Sequence, residues 1–232
     1  GDGPVLCRAR AATHNELRSV DPRRQPLDDG VERRTLLSRP MGSPAFEPSV
    51  AAVQASGVDA WAPLSGCETR APQSLLPWLA EPGLLTARVR AACGAAMSLR
   101  MLRLERASLA LPLRDRLCVE DAYCLLREVE ISCGASRWIF AQSVFPATTV
   151  RRYPWLGELG HNGLGESLAR VEDVRREPLE YAELAPTQAL ARAAFGDSRS
   201  SSAVWARRAV YRLGGSPILV QEVFLPDLGR CG

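Results

Sequence analysis

The 232-residue chain contains no lysine, and all 29 of its basic residues are arginine. That excludes chemistry built on a primary-amine side chain: Schiff-base catalysis, lysine-anchored pyridoxal phosphate and the lysine of a phosphate-binding P-loop. Histidine is almost as scarce, with only His14 and His161. The seven cysteines (Cys7, Cys67, Cys93, Cys118, Cys124, Cys133 and Cys231) include no C-x-x-C pair, so a zinc site has poor material. An odd cysteine count reads as free thiols in a reducing cytosol, with Cys124 and Cys133 as small packing groups on a strand. Long apolar runs are missing too, because Arg88, Arg90 or Glu222 interrupts each one; a transmembrane segment is not expected. Nor does the N-terminus show the basic-then-apolar pattern of a signal peptide, and a cytoplasmic location is expected. The formal charge of +3 argues against a strongly electrostatic nucleic-acid binder.

Residues 1–57 carry eight arginines, seven acidic residues and one aromatic, Phe46, without helical or strand period. Such a segment buries too little apolar area to offset its ordering entropy, so a disordered extension is expected, followed by one domain over 58–232. Order is expected to begin near Trp61. Residues 74–80 read as a short helix around Trp78, and 84–95 as an amphipathic one with Leu84, Leu85, Val89 and Ala92 on one face. Residues 97–113 read as one or two strands. A strand pair, 122–133 and 136–145, meets across Gly134-Ala135. Short helical material at 153–169 is broken by Gly157, Gly160, Gly163 and Gly165. Strand returns at 170–184, helix at 186–195, and a final hairpin, 204–213 with 218–225, spans Gly214-Gly215-Ser216-Pro217. Strands joined mostly by hairpins imply an antiparallel sheet with helices covering it, an α+β domain.

Two opposite charges occupy positions where the pattern calls for apolar side chains. Strand alternation puts Tyr123, Leu125, Arg127, Val129 and Ile131 on one face, apolar but for Arg127. The same rule aligns Ile218, Val220, Glu222 and Phe224, apolar but for Glu222. An unpaired ion out of water costs several kcal/mol, so each needs a partner or a purpose. They could form a buried ion pair, or either strand could be an edge whose charge reaches water. Alternatively they mark a pocket over the sheet, Arg127 gripping a carboxylate and Glu222 facing a polar group of a ligand.

Other motifs are weaker. The glycines from Gly157 to Gly165 match neither G-x-G-x-x-G nor a Walker sequence and read as turns between short helices, able to serve as a lid. His161 reads as a solvated loop residue. The serine-rich run 198–202 has no adjacent base and supports no serine nucleophile. In Trp205-Ala206-Arg207-Arg208, strand geometry sends one arginine to solvent and the other to the opposite side of the sheet.

Taken in order, Leu126-Arg127-Glu128-Val129, the block from Trp138 to Pro146, Gly163-Leu164-Gly165, Trp205-Ala206-Arg207-Arg208 and the block from Gly215 to Pro226 resemble bacterial chorismate pyruvate-lyases. These enzymes make 4-hydroxybenzoate for ubiquinone, as its first committed step. The resemblance runs from about Trp61 to Leu228. It implies a six-stranded antiparallel sheet whose ligand lies buried beneath two helix-turn-helix flaps. It further implies that Arg127 binds the ring carboxylate, that Glu222 lies beside the 4-hydroxyl, and that Leu85 and Leu164 contact the ligand from the two flaps. Arg127 and Glu222 would be the catalytic pair, with no metal or organic cofactor, in a monomer that binds chorismate and 4-hydroxybenzoate. Gln142 departs from the pattern, since relatives usually carry arginine there, and this bears on how the second carboxylate of chorismate is held. A non-catalytic small-molecule-sensing domain of the same fold is the alternative; it would carry a winged-helix domain upstream, and residues 1–57 show no helical period.

Overall fold

A computed structural model describes residues 52–53, 61–66, 70–196 and 202–230. The N-terminal extension expected over 1–57 lies, apart from two residues, outside the described residues, as do His14 and most of the serine-rich run. The strands are β1 (Ala52–Val53), β2 (Met97–Leu109), β3 (Tyr123–Cys133), β4 (Ser136–Pro146), β5 (Val174–Arg176), β6 (Glu180–Leu184), β7 (Val204–Leu213) and β8 (Ser216–Phe224). They form one sheet in the order β1-β2-β3-β4-β8-β7-β5, with β6 also on β7. Every pairing is antiparallel except the two-residue β1, which runs parallel to the end of β2. The sheet thus has eight strands rather than six; the additions are the two- and three-residue pieces β1 and β5.

The helices are α1 (Leu76–Leu79), α2 (Leu85–Cys93), α3 (Leu111–Leu117), α4 (Ala147–Arg152), α5 (Leu164–Leu168) and α6 (Ala189–Phe195). Two departures from the sequence pattern stand out. Residues 97–113 are a strand followed by the start of α3, because Pro112 sits in the first turn of a helix, where its missing N–H costs nothing. On α2, Leu85 and Val89 are buried but Ala92 is exposed; the helix docks through a narrower stripe that continues to Cys93. The final hairpin is tighter than expected: Leu213 pairs with Ser216, leaving only Gly214 and Gly215 in the turn. Both have positive φ, +49° and +88°, as a two-residue hairpin turn requires and as glycine accepts without strain.

Helices cover both faces of the sheet. On one face α3 packs Leu113 and Leu117 against Leu126, Val144, Val210 and Leu219, and α6 packs Leu190, Ala191 and Ala194 against Phe140, Ala206 and Val223. On the other, α1 and α2 seat Leu79, Leu85 and Val89 on Ile131, Ile139 and Phe224. Beside them α5 and the preceding turns seat Leu156, Leu159, Leu164 and Leu168 on Phe145, Ile218 and Val220. Each such leucine contributes about 1.5–3 kcal/mol by leaving water. The second face therefore carries two separate apolar patches, and the site lies between them.

Cys133 is not a free thiol. It is bonded to Cys93, with Cα atoms 5.7 Å apart, inside the range a disulfide needs. Gly94, at φ +63°, ends α2 and turns the chain into β2. Met97 then pairs with Cys133, while the Gly134 N–H donates to the Ala96 carbonyl at 2.9 Å. These contacts bring residue 93 against the β3–β4 turn, a closure of 40 residues that no short motif announces. Cys124 is buried, and burial pushes its thiol pKa up to about 12; Cys118 is a free, exposed thiol.

Candidate active site

Register across the sheet fixes the site. Val129 faces Ala141, Ala141 faces Glu222, and Glu222 faces Arg207, a row crossing β3, β4, β8 and β7. The next row runs from Arg127 through Ser143 and Val220 to Ala209. Arg127 and Glu222 thus point from one face, two strands and one two-residue step apart, so their Cα atoms lie about 12 Å from each other at ordinary sheet spacings. They do not form an ion pair. The gap between them suits a molecule about the length of a substituted benzene ring.

A cavity of about 60 Å³ occupies that gap, with room for roughly four to six waters at 10–15 Å³ each. Arg127, Glu222, Leu85 and Leu164 all line it. The floor adds Val129, Ile131, Ala141, Ser143 and Val220, and the roof adds Leu84, Thr86, Gly163 and Gly165. Leu85 stands at the first position of α2 and Leu164 at the first position of α5, so each flap offers the beginning of a helix to the cavity. The flaps meet closely. A Cβ built on Gly165 would lie 2.8 Å from Leu84 Cδ2, and Arg90 reaches Glu166 across the junction at 3.0 Å. The exposure of that ion pair leaves it worth little by itself.

Arg127 is 2% exposed. Its Nη2 donates to the carbonyls of Gly160 (3.0 Å) and Asn162 (2.8 Å) in the second flap, whereas Nε is buried with no hydrogen-bond acceptor. Burial pushes its pKa down from the usual value, the mark of a cation held with too little compensation. It remains charged at neutral pH, as arginine does throughout proteins. A second orphan, Thr86 Oγ1, belongs to a residue lining the same cavity.

Glu222 Oε2 accepts from Arg207 Nε at 2.5 Å. Tyr211 shares the Arg207 face of β7 and lines the cavity; burial, followed by the charge of Glu222, raises its phenol pKa. Neither arginine of Trp205-Ala206-Arg207-Arg208 faces solvent. Arg207 is 2% exposed on the cavity face; Arg208 is 6% exposed on the other, over the Trp61 ring. Both faces of their strand are covered: α6 packs on Ala206 on one face, and the chain at the end of α1 reaches Arg207 on the other. Sequence reasoning missed Arg207 and Tyr211 as cavity residues, although the alternation that found Arg127 also puts residues 205, 207, 209 and 211 on one face. Gln142 is the opposite case. Buried on the far face, its Nε2 donates to Glu128 Oε1 (2.8 Å) and its Oε1 accepts from Gln221 (3.0 Å), so it does not touch the cavity. His161 is exposed in the second flap.

With two guanidinium groups and one carboxylate, the charged lining carries one net positive charge. Together with an apolar floor, that suits an aromatic or cyclic carboxylate. The family model for "Chorismate lyase" matches residues 59–229. The chain belongs to the chorismate lyase family. It is 38% identical over 157 residues to a "Probable chorismate pyruvate-lyase" of Methylococcus capsulatus, covering 64% of this chain and 93% of that relative. A protein of the same name from Azoarcus sp. is 38% identical over 166 residues, covering 68% and 87%. Among solved structures, the effector domain of PhnF from Mycobacterium smegmatis is similar at 18% identity and a TM-score of 0.46, covering 62% of this chain and 90% of that one. For this family the cavity between the two flaps is the candidate active site.

Proposed function

We propose that the chain is a chorismate pyruvate-lyase, eliminating pyruvate from chorismate to leave 4-hydroxybenzoate for ubiquinone synthesis. The observation that carries the reading at the level of residues is the orphaned Nε of buried Arg127, opposite Glu222 across a ring-sized cavity in a chain of this family. In the reaction the bond from ring carbon 3 to the ether oxygen breaks and the proton on carbon 4 leaves. The released enolate takes up a proton at its methylene carbon to become pyruvate. Aromatisation supplies much of the driving force, so the protein's task is to bind, orient and exclude water. Arg127 holds the ring carboxylate through charge-assisted hydrogen bonds. Glu222 lies at the hydroxyl end and orients that group, while Leu85 and Leu164 close over the ring. The mechanism assigns no role to a metal or organic cofactor. Chorismate and 4-hydroxybenzoate are the partners; the chain acts as a cytoplasmic monomer without nucleic acid. Its modest net charge supports the absence of a nucleic-acid partner, and among the described residues no helix is long and apolar enough to cross a membrane.

Incubating the purified protein with chorismate tests the reading: 4-hydroxybenzoate and pyruvate should appear in equal amounts. A sensing domain would instead bind chorismate and leave it intact. Product should leave slowly, because opening the flaps exposes apolar surface. Millimolar 4-hydroxybenzoate should therefore inhibit, and should raise the melting temperature by linkage. Gly165→Val places branched carbons against Leu84, and overpacking of that kind costs about 1–3 kcal/mol of flap closure. Stopped-flow measurement should show product leaving about 5- to 150-fold faster at that cost; an unchanged release rate would mean that flap contact does not govern exit.

A further inference from the structure

We infer that Arg207 is a positioning residue that couples closure of the first flap to the placement of Glu222. The inference rests on the lyase reading and adds a residue to which that reading gives no role. Arg207 stands directly opposite Glu222 on neighbouring strands, and its Nε donates to Glu222 Oε2 at 2.5 Å. Its Nη1 faces the other way, into the chain that carries the flap. There it lies 2.8 Å from the Glu81 carbonyl, 3.3 Å from that of Leu79 and 3.4 Å from that of Trp78. These are the last carbonyls of α1 and of the turn after it. The Trp78 carbonyl also accepts from the Glu81 N–H at 3.5 Å, but a four-residue helix leaves its last carbonyls short of internal partners, and a buried cation answers both their lone pairs and their partial negative charge.

The turn transmits the contact. The Glu81 carboxylate accepts from Arg88 (2.9 Å) and from the Gly83 N–H (2.9 Å), and the Arg88 hydrogen bond, then that of Gly83, holds its pKa below the usual carboxylate range. The chain that follows Gly83 is thereby placed so that Leu85 and Thr86 roof the cavity. One guanidinium therefore touches both the carboxylate at the hydroxyl end of the site and the backbone from which the lid hangs. The two cavity arginines divide their work accordingly. Arg127 has a buried N–H without an acceptor and no carboxylate beside it, which suits a ligand anion. Arg207 already has its anion in Glu222, which suits a fixed strut and not a second substrate clamp.

A double-mutant cycle on the full chain tests the coupling, with chorismate turnover and 4-hydroxybenzoate release as readouts. Arg207→Gln and Glu222→Gln should each lower kcat, and the double variant should be no slower than the slower single, because both break one unit. Product release should quicken in Arg207→Gln by about tenfold or more, the loss expected from charge-assisted contacts of this kind. Arg207→Lys keeps the cation but cannot serve Glu222 and the three carbonyls together, so it should recover part of kcat while product release stays fast. If Arg207→Gln fails to fold, the same cycle is run with the lysine variant. Losses that multiply in the double variant, or an Arg207→Lys enzyme with wild-type kcat, KM and release rate, would overturn the coupling. A wild-type protein that leaves chorismate intact would instead overturn the lyase reading on which it rests.

Discussion

Arg127→Ala is expected to weaken 4-hydroxybenzoate binding by about ten- to a hundredfold, the equivalent of charge-assisted hydrogen bonds worth roughly 1.5–3 kcal/mol. The expectation follows from what surrounds the guanidinium. It is almost wholly buried, has no carboxylate beside it, and is satisfied on one nitrogen by two carbonyls of the second flap. A ligand carboxylate would supply both the missing charge and an acceptor for Nε. Arg127→Lys should recover little, because an ammonium cannot reproduce the planar fork that serves the flap and the ligand together. Calorimetric titration with 4-hydroxybenzoate, paired with thermal unfolding, separates this from a purely structural role. If the alanine variant bound product at wild-type strength and merely melted earlier, Arg127 would be a strut for the second flap, and the ring carboxylate would have to be held elsewhere.

Strand alternation alone located Arg127 and Glu222, two of the three charges of the cavity, because a period of two states which face a side chain takes. What alternation cannot state is which strands are neighbours. Pairing β8 with β4 on one side and β7 on the other decides that Glu222 meets Arg207 and not Arg127, and that order is a property of the whole sheet. The same limit applies to Gln142. Its departure from the family pattern was legible, yet parity sends it to the far face with Glu128 and Gln221, so the second carboxylate of chorismate gains nothing from it directly. The flaps were legible as glycine-broken helical material, whereas their contact at Gly165 and Leu84 joins segments about eighty residues apart and leaves no local trace. Residues 97–113 were misjudged for a local reason. Leu111-Pro112-Leu113 continues the apolar alternation of β2, and only the tolerance of a helical first turn for proline shows that the strand has ended.

Removing the Cys93–Cys133 bond should lower the stability of the oxidised protein by about 3–4 kcal/mol, the chain-entropy value for closing a loop of this length. The loop spans 40 residues and includes all of β2, α3 and most of β3. Cross-linking it denies the unfolded chain many conformations, whereas the folded chain already holds the two Cα atoms at a disulfide's distance through the β2–β3 register and the turn at Gly94. Cys133→Ser and Cys93→Ser should therefore lose similar amounts in denaturant unfolding without reductant. The fold should nevertheless survive, because the apolar contacts of Leu85 and Val89 on Ile131 and Ile139 do not depend on the bond. Reductant should bring the wild type towards the variants and leave the variants unchanged. In a cytosol that keeps thiols reduced, the reduced form would be the working one, and Cys133 would then behave as the small packing group the sequence suggested. Thiol titration of the unfolded, air-oxidised protein decides the point: Cys93 and Cys133 found free would mean that their proximity never becomes a bond, and serine at the half-buried Cys93 should then cost little.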